Sequence, residues 1–195
     1  MRILGLYGSP RPAGNTDLMM DAFLEGAASA GGAVDRVYVR DLNVEGCLGC
    51  GHCDAGGVCF QKDDMQSLYP VLESVPRLVV ASPIYFYGVT GQLKLLIDRS
   101  QASFMKQELA RRDEQSSSAD AGGSTRNAFL LAAGATRGKR LFECAALTMR
   151  YFFDALGMSY AGELLFREVD EKGAIRDVPG ALQDCFEAGR DFMRE

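Results

Sequence analysis

Short apolar runs alternate along the chain with longer stretches of helical spacing, and this alternation predicts the element order. Ile3, Leu4, Gly5, Leu6 and Tyr7 form an unbroken apolar run, the pattern of a strand covered on both faces. After a loop of Gly, Ser and Pro, a helix is predicted to open at Asn15 or Thr16, with Leu18, Met19, Ala22, Phe23, Gly26 and Ala27 on one face and Gly31-Gly32 as its stop. Further strands are predicted at residues 34–39, 77–82, 128–133 and 159–165. Helices are predicted at residues 63–74 with Asp63 and Asp64 at the positive end, around Leu93, Leu96 and Ile97, at residues 139–156, and after Pro179. Residues 111–126 are polar and rich in Ser, Ala and Gly, and are expected to form a mobile insertion. Five strands alternating with helices define an α/β, doubly wound parallel sheet, whose ligands bind beyond the carboxyl ends of the strands.

Composition narrows this picture. A chain of 195 residues, 47% hydrophobic and 24% charged, fits one compact domain spanning residues 1–195. A formal net charge of -5 argues against nucleic acid as a partner, because phosphate binding needs clustered cations. The one dense basic group is Arg137, Lys139 and Arg140. The chain opens directly into its first apolar run, and no apolar run approaches membrane-spanning length, so the expectation is a soluble cytoplasmic protein with no membrane partner. Without a secretion signal, the six cysteines read as metal ligands, redox groups or core residues rather than as a disulfide framework.

The segment Gly8-Ser9-Pro10-Arg11-Pro12-Ala13-Gly14-Asn15-Thr16 joins the first strand to the first helix, where free N–H groups and the helix dipole attract an anion. Ser9 and Thr16 offer hydroxyls, Asn15 an amide donor and Arg11 a fixed charge. There is no Walker lysine and no Gly-x-Gly-x-x-Gly spacing, so a terminal monophosphate such as that of FMN suits the loop better than ATP or a Rossmann-bound dinucleotide. The bland alternative is a turn in which Asn15 or Thr16 merely caps the helix. After the third strand, Ser82-Pro83-Ile84-Tyr85-Phe86-Tyr87-Gly88 puts three consecutive aromatics at the same sheet edge, a surface suited to a planar isoalloxazine or to packing between subunits. The loop Ala133-Gly134-Ala135-Thr136-Arg137-Gly138 supplies small residues at that edge.

Through Gly8-Ser9-Pro10-Arg11 with Asn15-Thr16, and Ser82-Pro83-Ile84-Tyr85-Phe86 with Leu93-Lys94-Leu95-Leu96-Ile97-Asp98-Arg99, the chain resembles the NADPH-dependent FMN reductase superfamily. The resemblance implies a flavodoxin-like five-stranded sheet of order 2-1-3-4-5. It further implies phosphate contacts from Ser9, Arg11, Asn15 and Thr16, and isoalloxazine contacts from Pro83, Ile84, Tyr85, Phe86 and Gly88, with Ala133 and Gly134 as a weaker transfer. A homodimer or homotetramer is implied too, since flavin sites of this superfamily are commonly completed across subunits.

Cys47, Cys50, Cys53 and Cys59 are spaced Cys-x2-Cys-x2-Cys-x5-Cys among glycines, and four thiolates from one turning loop suit a single 4Fe-4S cluster. A zinc site, or empty or oxidised thiols, are the alternatives. The spacing is similar to that of the iron-sulfur flavoprotein branch, which implies a cluster exchanging electrons with FMN. His52 reads as an exposed loop residue, and Cys144 and Cys185 as small core residues of helices.

The expected activity is therefore a flavin-dependent oxidoreductase that couples a one-electron donor such as ferredoxin to a small-molecule, two-electron acceptor. No catalytic acid-base constellation is evident or needed. One alternative is an NAD(P)H-dependent FMN, quinone or nitroarene reductase without a functional cluster, with Arg137, Lys139 and Arg140 near the nucleotide's phosphates. Another is a thiol and flavin redox-sensing module.

Overall fold

The computed structural model describes residues 1–116 and 126–194. Five parallel strands, β1 (Arg2–Tyr7), β2 (Ala33–Tyr38), β3 (Arg77–Pro83), β4 (Asn127–Gly134) and β5 (Ser159–Arg167), form one sheet in the order β2-β1-β3-β4-β5. Central strands β1, β3 and β4 are buried almost throughout, as their continuous apolar runs predict. The edge strands β2 and β5 are more exposed and carry interspersed charges.

Helices α1 (Asn15–Ser29) and α6 (Ala181–Phe192) cover one face through Met19, Met20, Phe23 and Phe192 against Ile3, Val79 and Leu131. The other face is covered by α2 (Met65–Ser74), α3 (Gly91–Arg99), α4 (Gln101–Ser116) and α5 (Glu143–Ala155), with Leu68, Leu72, Leu93, Leu96 and Phe153 on Leu4, Leu6, Leu78 and Val80. No helix among the described residues is long and apolar enough to cross a membrane.

Three expectations change. Helix α4 runs through Ser116, so the first residues of the segment read as an insertion are helical; residues 117–125 lie outside the described residues. Charged positions at Lys106, Glu108, Arg111 and Arg112 support an exposed helix as readily as a loop, which is why composition misled there. Helix α5 opens at Glu143 rather than residue 139, so Arg137, Lys139 and Arg140 lie in the loop that precedes it. Arg137 pairs with Glu168 at 2.5 Å and Arg140 with Glu143 at 2.6 Å. Finally, Cys185 is buried, its thiol pushed up to about 12 by burial and then by Asp184, whereas Cys144 is exposed on α5.

Candidate functional site

Because all five strands are parallel, the loops that follow them meet at one edge of the sheet. A cavity of about 100 Å³ opens there, lined by Ser9, Arg11, Asn15 and Thr16 from the first loop, Pro83, Ile84 and Tyr85 from the third, Ala133 and Gly134 from the fourth, and Val169 and Asp170 after β5. The loops are stitched together by buried groups. Thr90 Oγ1 donates to the Gly8 carbonyl at 2.6 Å, the Thr90 N–H donates to Ser82 Oγ, and the Ile84 N–H donates to the Ala133 carbonyl at 2.9 Å.

The first turn of α1 faces this cavity uncapped. Its N-cap is Gly14, which has no side chain to satisfy the leading N–H groups, so neither Asn15 nor Thr16 acts as an ordinary cap. The N–H donors and the positive end of the dipole are thus directed at a polar pocket, which is the arrangement that binds a phosphate. Ser9 Oγ folds the loop by accepting the Arg11 N–H at 3.1 Å.

Asn15 departs from its expected role. Its side-chain Nδ2 donates to the Glu171 carbonyl at 2.8 Å, and its Oδ1 accepts from the N–H groups of Gly173 and Ile175. The amide is committed to tying the loop after β5, so what Asn15 offers the cavity is backbone. A second support escaped the sequence reading. Asp17 accepts from the Ala13 N–H at 3.0 Å and pairs with Arg40 at 3.0 Å, while Arg40 also donates to the Ser9 carbonyl. Burial raises the Asp17 carboxyl more than Arg40 lowers it.

Two residues expected on a flavin ring stand outside the cavity. Tyr85 and Gly88 exchange both backbone hydrogen bonds, at 3.0 and 2.9 Å, and between them Phe86 and Tyr87 adopt φ of 48° and 65°. This is a two-residue turn of the type that ordinarily takes Asn-Gly, occupied here by two aromatics. Gly88 therefore closes the turn, and Phe86 projects fully into solvent. Left-handed backbone costs a non-glycine residue about 1–2 kcal/mol. Replacing Phe86 with Gly is expected to raise stability by about 0.5–1 kcal/mol after the added unfolded-state entropy, read as a higher urea midpoint.

The cysteine loop follows β2 and leaves the sheet at the same edge. Its base is stapled: Asp64 accepts from the Asn43 N–H at 2.7 Å, Asp63 from the Glu45 N–H at 3.0 Å, and Gln61 donates to the Gly46 carbonyl at 3.2 Å. Asp63 also binds Arg99 and accepts from the Met65 N–H; burial would raise its carboxyl, but these donors outweigh burial and lower it. Gly57, at φ 66°, lies so close to α4 that a Cβ would sit 2.5 Å from that of Lys106.

Above this base, Cys47, Cys50, Cys53 and Cys59 all line one cavity of about 440 Å³, together with Gln61, Asp98, Arg99 and Ala102. All four thiols are unpaired, Cys47 and Cys50 exposed, Cys53 and Cys59 half-buried. Burial and then Asp54 raise the Cys53 thiol. His52 is exposed and packs edge-on against Phe60. Among the described residues no group of three or more His, Cys, Asp or Glu is drawn together as tightly as a single metal ion requires. Four cysteine thiolates are the ligand set that a 4Fe-4S cluster would take. The donor set, the shared cavity and a buried guanidinium beside it fit such a group. The two cavities share no lining residue.

A sheet of order 2-1-3-4-5 with an uncapped first helix at its carboxyl edge defines a flavodoxin-like protein. The family of NADPH-dependent FMN reductases matches residues 1–166, and the chain belongs to it. It is accordingly a member of a family of FMN-dependent oxidoreductases. Over 99 residues it is 40% identical to an iron-sulfur flavoprotein of Archaeoglobus fulgidus, a match covering 51% of this chain and 45% of the relative. Over 101 residues it is 36% identical to an iron-sulfur flavoprotein of Methanocaldococcus jannaschii, covering 52% of each. The chain thus spans about half the length of the curated relatives it matches. In fold it is similar to an NAD(P)H:quinone oxidoreductase of Methanothermobacter marburgensis, with a TM-score of 0.68 at 15% identity over 98% of this chain and 96% of that one.

Proposed function

We propose that this chain is an iron-sulfur flavoprotein of the cytoplasm, in which Cys47, Cys50, Cys53 and Cys59 hold a 4Fe-4S cluster and the β1, β3 and β4 loops hold FMN. When bound, the cluster exchanges electrons singly and FMN singly or in pairs, which suits coupling a one-electron donor such as ferredoxin to a two-electron small-molecule acceptor. The observation that carries this reading is the convergence of all four thiols on one cavity, in a loop at the sheet edge where the phosphate-sized cavity also opens. The names of the relatives, matched over about half of their length, support it. Six unpaired cysteines suit a reducing compartment.

Within this reading Ser9, Arg11, Thr16 and the first N–H groups of α1 take the FMN phosphate, while Pro83, Ile84, Tyr85, Ala133 and Gly134 bound the ring. Phe86 and Tyr87, with exposed Leu147 and Tyr151 on α5, form apolar surface for a homodimer or homotetramer. Replacing Arg11 with Ala is expected to weaken FMN binding about tenfold, because a charged hydrogen bond to phosphate contributes about 1.5–3 kcal/mol. Titration of apoprotein followed by flavin fluorescence reads this directly.

The test of the cofactor assignment is a visible spectrum with iron and sulfide analysis on protein purified without oxygen. Flavin bands with about four irons and four sulfides per chain support the proposal. Flavin bands without iron overturn it in favour of an NAD(P)H-dependent flavin or quinone reductase, a reading the family description itself favours.

A further inference from the structure

Arg99 ends α3 with a side chain entirely withdrawn from solvent, in the wall of the cavity that the four cysteines line. Its guanidinium has five N–H donors in a fixed fork. One terminal nitrogen donates to the Glu45 carbonyl at 3.0 Å and to the Asp63 carboxylate, and the other donates to Asp63 at 3.1 Å. The remaining nitrogen, Nε, is buried and has no hydrogen-bond partner among the described residues. An unmet buried donor is a penalty, larger when it carries charge, so this N–H either stays unmet or takes an acceptor from a group that fills the cavity.

Asp98 is held by Lys94 at 2.6 Å, and the Gln61 side chain is turned to Gly46. The four thiols line the same cavity as Arg99. The Cys59 thiol lies near enough for its charge to bear on both Arg99 and the buried Tyr69 hydroxyl. Tyr69 donates to the Arg99 carbonyl at 2.8 Å, so Arg99 and Tyr69 are tied together behind the thiols.

We infer that Arg99 is a positioning residue of the four-cysteine centre, its Nε–H donating to sulfur on the Cys59 side and its charge raising the reduction potential of the bound cluster. This rests on the cluster reading above. Reduction by an external one-electron donor adds one negative charge to the thiolate-held group, and no proton or bond moves on Arg99, which stays protonated throughout. A fixed cation and an N–H directed at sulfur both favour the more negative state, which is how a protein raises such a potential. A purely structural Arg99, clamping Glu45 and Asp63 at the base of the loop, would give no nitrogen coupling to the cluster.

The experiment uses holoprotein prepared without oxygen, with FMN, iron and sulfide measured first. Arg99→Lys keeps a cation opposite Asp63 and removes Nε. With iron content at the wild-type level, its cluster is expected to show a roughly tenfold lower ratio of reduced to oxidised form at a fixed potential, equivalent to about 59 mV for a one-electron couple. In parallel, wild-type protein labelled with 15N-arginine is reduced by dithionite and studied by pulsed EPR, where the expected signature is a nitrogen coupling with an exchangeable proton. Arg99 is the single arginine lining that cavity among the described residues. An unchanged potential in iron-replete Arg99→Lys overturns the assignment, as does a missing nitrogen coupling in iron-replete wild type. If Arg99→Lys loses its iron, the wild-type coupling alone decides. Iron-free wild type defeats the cluster reading itself and the role of Arg99 with it, an outcome visible before any potential is measured.

Discussion

A chain carrying Cys50→Ala is expected to purify with FMN bound but with almost no iron or sulfide, leaving flavin bands alone in its spectrum. The effect is near-complete because a cubane cluster with four protein thiolates loses one corner, whereas the polypeptide loses little. Cys50 is exposed, and exposed substitutions usually change stability by within about 0.5 kcal/mol. The loop's base is closed by Asp63, Asp64 and Gln61, none of which needs the thiol. The cavity proposed for FMN shares no lining residue with the cysteine cavity, so the two cofactors should be separable by mutation. Wild-type iron in Cys50→Ala would remove this cysteine from the ligand set.

The largest expected effect on stability comes from a single methyl group. Helices α1 and α6 approach backbone to backbone: a Cβ at Gly189 would lie 1.8 Å from the Phe23 carbonyl oxygen, and one at Gly26 would lie 1.9 Å from that of Phe186. No rotamer change relieves a clash with main chain, so the helices must separate and disturb Phe23, Phe129 and Phe192, whose rings pack at 5.0 to 5.8 Å. Gly189→Ala should cost about 3 kcal/mol, at the upper end for overpacking. For a chain of this size that lowers Tm by about 6–12 °C in a thermal melt followed by circular dichroism. An unchanged Tm would mean that the helices are not in contact at these glycines.

Much of this architecture was readable in the chain because its strands are parallel and covered on both faces, which leaves continuous apolar runs at residues 3–7 and 78–80 that no helix of comparable length would need. The loop from β1 into α1 was readable for the same reason, since strand, glycine loop and helix follow one another directly. What stayed hidden depends on partners distant in sequence. The tether from Asn15 to residues 171–175 spans more than 150 positions, and nothing local distinguishes it from a free amide donor. The Asp17–Arg40 pair, and the contribution of Val169 and Asp170, likewise need the sheet edge assembled before they have meaning. The shape of the aromatic turn was not legible either, because three adjacent aromatics give no sign of the positive φ at Phe86 and Tyr87 that turns Phe86 into solvent.

The tether of Asn15 also carries a consequence for biosynthesis. Helix α1 begins at the phosphate cavity, yet it is anchored by residues 171–175 and packed against α6. Those segments leave the ribosome on the order of ten seconds after α1, at the usual elongation rate of roughly 5–20 residues per second. During that interval the nascent chain holds β1 and the first loop without the groups that fix them. If the loop after β1 takes FMN as proposed, capture of the cofactor waits until residues 171–175 have been made, and the order of synthesis delays it.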